Sequence, residues 1–222
     1  MELKYNNYIK KTIDDIHKTY PKILNEYSFN VIVSDQLPFA IINPIVTYIK
    51  KYKKPEELIL LGYSAGGNFM SHILSSLKYM KCKQKLITYD TTHCPHKAFI
   101  NKNDKQIEEI LCKNAIDKMY GGSYNWNNVI NSACKYFNIN KKEFIRKSSF
   151  NYNLNKNIVY YNIYEKYDPF VEHFNLLSII KYKHLIKFKI ISIQKNNLDH
   201  CTDMYFNTKY LRDLIYAIKD KI

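Results

Sequence analysis

Ser64 lies in the stretch Leu58 to Gly67, which reads LILLGYSAGG: an apolar run, then a serine flanked by glycines. A G-x-S-x-G between a strand and a helix can do acyl-transfer chemistry. The serine then occupies a sharp, strained turn, and its hydroxyl projects where a substrate can meet it. Small residues two places to either side, Gly62 and Gly66, are expected to keep strand and helix from colliding. The motif is short and weak by itself, but its setting strengthens it. The chain has only five glycines, and Gly62, Gly66 and Gly67 are three of them.

A serine hydroxyl needs a base to take its proton, and the base needs an acid to orient it. Two loops downstream carry such residues: Tyr164 to Val171, which contains Asp168, and Gln194 to His200. Each follows a strand-like run, which puts both at the edge of the sheet that bears Ser64. The chain order Ser64, Asp168, His200 is one in which such triads occur. Glu165 and Asp90 compete as the acid, the latter directly after the preceding strand. His93, His96, His173 and His184 compete as the base, but His173 and His184 fall in or beside a helical pattern. Asp199 and Asp203 flank His200. His93-Cys94-Pro95-His96 hints at a metal, but a structural zinc site needs four ligands and there is no second cluster. No metal or other cofactor is expected.

These residues need a scaffold. Short β-branched runs alternate with amphipathic stretches, which predicts βαβ units and a mainly parallel sheet. The strands are expected at Phe29 to Ser34, Leu58 to Gly62, Lys85 to Tyr89, Ile158 to Ile163 and Phe188 to Ile193. Helices are expected near Tyr8 to Tyr20, Ile42 to Lys53, Gly66 to Met80, Val171 to Lys183 and Thr208 to Ile218. In the helix after Ser64, Phe69, Ile73 and Leu77 share one face, with Met70 and Leu74 beside them. The interval 94–155 breaks the rhythm with two helical stretches, Lys105 to Met119 and Asn127 to Phe137. Set between strands, it would lie above the C-terminal edge of the sheet and act as a cap. The fold class is thus α/β, with about five to six strands, flanking helices and a helical cap insertion. Residues 1–222 are read as a single domain, a size within the usual range.

With these motifs the chain resembles an α/β-hydrolase. The Ser-Ala-Gly-Gly turn is similar to those of carboxylesterases and lipase-like enzymes, and Asp168-Pro-Phe-Val171 is similar to the family's acid loop. The resemblance runs from Phe29 to the C-terminus, the cap excepted, and implies a reduced version of that fold. It implies Ala65 N–H as one oxyanion donor. The second would come from the loop after the neighbouring strand, at Asp35, Gln36 or Leu37, of which Gln36 is preferred. The usual His-Gly of that loop is missing here. Tyr63, His93 and Leu37 are expected to touch the substrate.

Composition bounds the remaining possibilities. With 46% hydrophobic residues over 222 positions, the chain can bury a core and is not a disordered tail. Its apolar runs are too short to cross a bilayer, and its first residues do not resemble a signal peptide. The five cysteines, Cys82, Cys94, Cys112, Cys134 and Cys201, are odd in number and scattered, as suits reduced thiols. A cytoplasmic protein is expected, in the host's cytoplasm if the gene is viral. The net charge of +14 suggests polyanions, yet of 34 basic residues only Arg146 and Arg212 are arginines. Bidentate recognition of phosphates and bases favours arginine, so no specific nucleic acid is expected. Weak attraction to anionic membranes remains open. The expected partner is a small acyl ester or thioester. The alternative is an inactive binding protein on the same scaffold.

Overall fold

Four seven-residue strands run parallel and lie side by side in chain order: β1 (Glu57–Tyr63), β2 (Lys83–Tyr89), β3 (Val159–Glu165) and β4 (Lys187–Ile193). The computed structural model describes residues 18, 39–52, 55–91, 126–165, 187–193 and 219. The chain divides into two compact units, Met1–Asp35 with Cys201–Ile222, and Gln36–His200. Only Lys18 and Lys219 are described in the first, so the account below concerns the second. The strand expected over 29–34 and the helices expected over 105–119, 171–183 and 208–218 lie outside the described residues. So does the opening helix, apart from Lys18.

The strands exceed their apolar runs because a ladder is built from backbone groups. Glu57 pairs with Lys83 in register, although neither is hydrophobic. The register continues Leu60–Leu86–Tyr160–Phe188 across the sheet. Side chains alternate between faces along a strand, so these positions share one face.

Two helices cover that face: α1 (Phe39–Tyr52) and α2 (Ala65–Ser76). Ile73, Leu74 and Leu77 pack with Leu60, Leu86, Ile158 and Tyr160, while Ile45, Val46 and Ile49 of α1 extend the same cluster. Fully burying each aliphatic side chain contributes about 1.5–3 kcal/mol. Pro44 sits inside α1 and removes one helical hydrogen bond. It lies on the exposed side, and the adjacent Ile45 and Val46 hold the helix by packing.

Helix α2 stops four residues before its expected end. Side chains also satisfy the carbonyls of the turn that follows: Gln84 Nε2 donates to Leu77 O at 2.8 Å, beside Met80 N at 2.9 Å, and Asn155 Nδ2 to Lys78 O at 3.0 Å. The chain can therefore turn at 77–79 without stranding polar groups.

Two further helices are described, α3 (Trp126–Phe137) and α4 (Lys141–Ser148). The second was not expected from hydrophobic periodicity. Asn140 starts it, its side chain accepting from Glu143 N at 2.9 Å. Phe144 is buried, and after α4 Phe150 joins the core cluster, its ring stacked on Tyr160 with centroids 5.3 Å apart. The interval expected to form a cap therefore ends in residues that pack on the sheet.

Candidate functional site

The Ser64 turn follows from what its backbone must do within one residue. Its N–H donates to Tyr89 O at 2.9 Å, extending the ladder between β1 and β2. Its carbonyl already accepts from Gly67 N at 3.2 Å, as the first carbonyl of a helix does. Strand on one side and helix on the other require an uncommon conformation, φ 47° and ψ −124°. A residue with a Cβ is strained there by about 1–3 kcal/mol. A serine at a helix N-cap ordinarily turns its hydroxyl inward to cap the first turn. Ser64 makes no such side-chain cap.

The glycines divide their work differently from the expectation. A Cβ on Gly62 would overlap Gly67 Cα and lie 2.7 Å from Gly66 O and Gly67 N, all backbone atoms. A Cβ on Gly67 would overlap Thr91 Oγ1 and lie 2.7 Å from Thr91 Cγ2. Among the described residues, a Cβ on Gly66 meets nothing within 4 Å. The close approach is thus Gly62 against Gly67, and the second glycine of G-x-S-x-G is sterically dispensable.

The end of β2 forms the floor of this turn. Tyr89 O takes the Ser64 amide, the Thr91 side chain presses on Gly67, and Asp90 sits between them. Asp90 is fully buried with φ 45°, and its N–H donates to Ile163 O at 2.9 Å. Asp and Asn tolerate this left-handed region better than other non-glycine residues. The Tyr63 and Tyr89 rings lie 5.9 Å apart. On the other face of the sheet Thr88 Oγ1 donates to Asn162 Oδ1 at 2.9 Å, which leaves the Tyr160 hydroxyl to donate to Thr88 Oγ1, also at 2.9 Å. Burial pushes the Tyr160 phenol well above its ordinary pKa. It serves as a donor and not as a base.

A polar strap ties α2 to the segment entering β3. Asn68 Nδ2 donates to Ser148 O at 3.0 Å, and Asn151 N donates to Ser71 Oγ at 2.8 Å. His72 Nε2 meets Ser149 O at 2.8 Å, and since a carbonyl only accepts, Nε2 carries the proton. His72 Nδ1 then accepts from Asn151 Nδ2 at 3.4 Å. Asn151 Oδ1 is occupied by Asn153 N, which keeps the amide in this orientation. The strap fits a neutral imidazole. Burial lowers the His72 pKa most, the bond to Ser149 raises it, and the nearby Arg146 charge lowers it. Arg146 stands on α4 with Glu143 and Lys147, and Glu143 lies 3.8 and 3.2 Å from those two cations.

The sign of the pH effect follows. With a folded pKa below the unfolded value of about 6.5, the contribution of His72 is full above that value. It declines as pH falls toward the lowered folded value. We expect the urea midpoint of the parent to drop more steeply from pH 7 to pH 5 than that of His72→Gln. The other histidines are common to both proteins and cancel in the difference. Parallel pH curves would refute the neutral strap.

The structure brings together Ser64, Ala65, Tyr63 and Asp90 at the C-terminal edge of β1 and β2, with Glu165 ending β3 at the same edge. Asp168, His200, Gln36, Leu37 and His93 lie outside the described residues, as do His96, His173 and His184. Thr91 was missed by the sequence reading, and no motif marks it. Among the described residues no group of three His, Cys, Asp or Glu side chains could hold a metal ion, and Cys82 and Cys134 are free thiols. No described helix is long and apolar enough to cross a membrane.

No family model matches the chain, and no curated protein matches it by sequence. Solved structures do match. A meta-cleavage product hydrolase superposes with a TM-score of 0.50 at 12% identity, over 87% of this chain and 77% of its own. A marine microorganism esterase gives 0.48 at 16% identity, over 85% and 80%. Alpha/beta hydrolase domain-containing protein 10 from mouse gives 0.45 at 14%, over 86% and 74%. At such identities the likeness is one of fold.

Proposed function

We propose that this chain, which has the α/β-hydrolase fold, is a serine hydrolase that cleaves a carboxylic ester or thioester through an acyl-enzyme on Ser64. The observation that carries the reading is the backbone of Ser64, strained at φ 47° while its hydroxyl is left out of helix capping. A glycine would sit at this backbone conformation without strain, yet the chain carries a serine. Strain of this kind collects at sites where it serves chemistry.

In the proposed mechanism His200 takes the proton from Ser64 Oγ as the oxygen attacks the acyl carbonyl. Asp168 holds the imidazole in the needed tautomer and stabilises its cation. His200 then protonates the departing alcohol or thiol, and a water molecule repeats the sequence on the acyl-enzyme. The amides of Ala65 and Gln36 are the proposed oxyanion donors, each contributing about a hundred- to a thousandfold in rate. Tyr63, His93 and Leu37 would line the acyl site, and 94–155 would cap it, with its last residues anchored on α2. A sheet of five to six strands, one of them over 29–34, would carry the Gln36 loop. No cofactor enters any step.

Labelling with a fluorophosphonate, with the adduct mapped by mass spectrometry, tests this. The expected result is a stoichiometric adduct on Ser64, absent from Ser64→Ala and from His200→Ala. Asp168→Asn should slow labelling by orders of magnitude. If Asp90→Asn does so instead, the buried aspartate beside the turn is the acid. A folded protein that takes no label is an inactive scaffold, and the hydrolase reading fails.

A further inference from the structure

The edge of the sheet opposite Ser64 is lysine-rich and lightly opposed. The turn from α2 into β2 carries Lys78, Tyr79, Lys81 and Lys83, and the turn into β3 carries Lys156. The two turns touch, since Asn155 Nδ2 donates to Lys78 O at 3.0 Å. Lys81, Lys83 and Lys156 are exposed, and none of these four lysines makes an ion pair among the described residues. Among the described residues, the acidic ones beside them are Glu56 and Glu57. Glu57 faces the buried Lys85 at 3.7 Å, which leaves Glu56 to oppose four cations. Next to the lysines Tyr79 stands 86% exposed, with Lys78 Nζ 5.0 Å from its ring centre.

We propose that this edge is a docking surface for an anionic lipid membrane. Ammonium groups attract a negative leaflet as point charges and need no fixed geometry, and a tyrosine ring settles at the headgroup level. Nucleic acid fits less well. Among the described residues the edge has no arginine for bidentate contacts, and one exposed ring is not the row of aromatics on which successive bases stack. Each strand is seven residues, so Ser64, at the far end of β1, lies about 20 Å from this edge. The docked protein holds Ser64 toward water. Resting on the hydrolase proposal for this last step alone, its substrate is a water-borne ester and not a bilayer lipid.

Cosedimentation with vesicles of phosphatidylcholine and phosphatidylserine, at 7:3 and low salt, reads the docking without reference to activity. We expect binding that weakens with salt and that is absent on pure phosphatidylcholine. Each lysine near the surface contributes about fivefold, so Lys81→Glu/Lys83→Glu/Lys156→Glu should weaken binding by about a hundredfold or more. Lys135→Glu/Lys142→Glu is the control. Lys142 sits on α4, which reaches α2 at its Ser64 end through the Asn68–Ser148 bond, and Lys135 on α3, which packs against α4, so binding should stay within a few-fold. Turnover of a soluble ester should be the same in the triple variant, and vesicle phospholipid should not be hydrolysed. The docking is overturned if the parent does not sediment, if the triple variant binds as well as the parent, or if single-stranded RNA binds more tightly than the vesicles. Hydrolysis of vesicle phospholipid by the bound protein would overturn the orientation.

Discussion

Ser64→Ala and Ser64→Gly are both expected to reduce ester hydrolysis by a factor on the order of 10⁵, and the glycine variant alone to melt higher than the parent. The loss of rate follows from removing the nucleophile, because the remaining groups can only activate water. The separation in stability follows from the backbone. At φ 47° and ψ −124° a Cβ costs about 1–3 kcal/mol, whether it belongs to serine or alanine. Glycine removes that cost but adds about 0.5–1 kcal/mol through the entropy of the unfolded chain. The net gain is about 1 kcal/mol, or about 2–4 °C in Tm for a domain of this size. Thermal melts of the three proteins, with turnover of an activated ester, check both parts. Equal melting of the alanine and glycine variants would show that no strain is held at Ser64. Retained turnover in either would remove Ser64 from the chemistry.

Gly62→Ala should be the most damaging substitution at the turn, and Gly66→Ala should be harmless or better. At Gly62 the new methyl meets backbone atoms of Gly66 and Gly67, which move only if β1 and α2 separate. Overpacking costs about 1–3 kcal/mol and occasionally more, and the rigidity of these neighbours puts Gly62→Ala at about 3 kcal/mol or above. A shift of α2 also turns Ser64, so activity should fall with stability. Gly67→Ala should be intermediate, because its obstacle is the Thr91 side chain and because alanine is favoured in a helix. Gly66 is in the same helix with open space around it, so its alanine variant should gain up to about 1 kcal/mol. Urea unfolding of the three variants ranks them. A harmful Gly66→Ala, or a benign Gly62→Ala, would contradict the packing described here.

The Ser64 turn and the strands beside it were readable in the sequence. Four apolar runs became four parallel strands because β-branched and aromatic side chains fit the pleated surface of a sheet. Ser64 could be singled out because a chain with so few glycines had placed three of them around it. Other features were out of reach or passed over. Helix α4 has a polar sequence, KKEFIRKS, and its local sign was the Asn140…Glu143 cap and not hydrophobic periodicity. The early end of α2 depends on Gln84 and Asn155, one of them 77 residues beyond the carbonyl it satisfies. The strap through His72 joins positions about 80 apart, so no window along the chain contains both sides.

The glycines show where the division falls. Composition and spacing determined that Ser64 sits on a tight strand-to-helix turn, because only glycine admits such close backbone approach and glycine is scarce here. Which glycines the turn needs was decided by tertiary packing. Gly62 faces the backbone of Gly67, and Gly67 faces Thr91 at the end of the neighbouring strand, whereas Gly66 faces open space. The same holds for Asp90, whose full burial beside the turn depends on the parallel pairing of β2 with β1 and β3. Local sequence specifies the conformations a segment can adopt, but steric necessity and burial are properties of the neighbours that the fold brings to it.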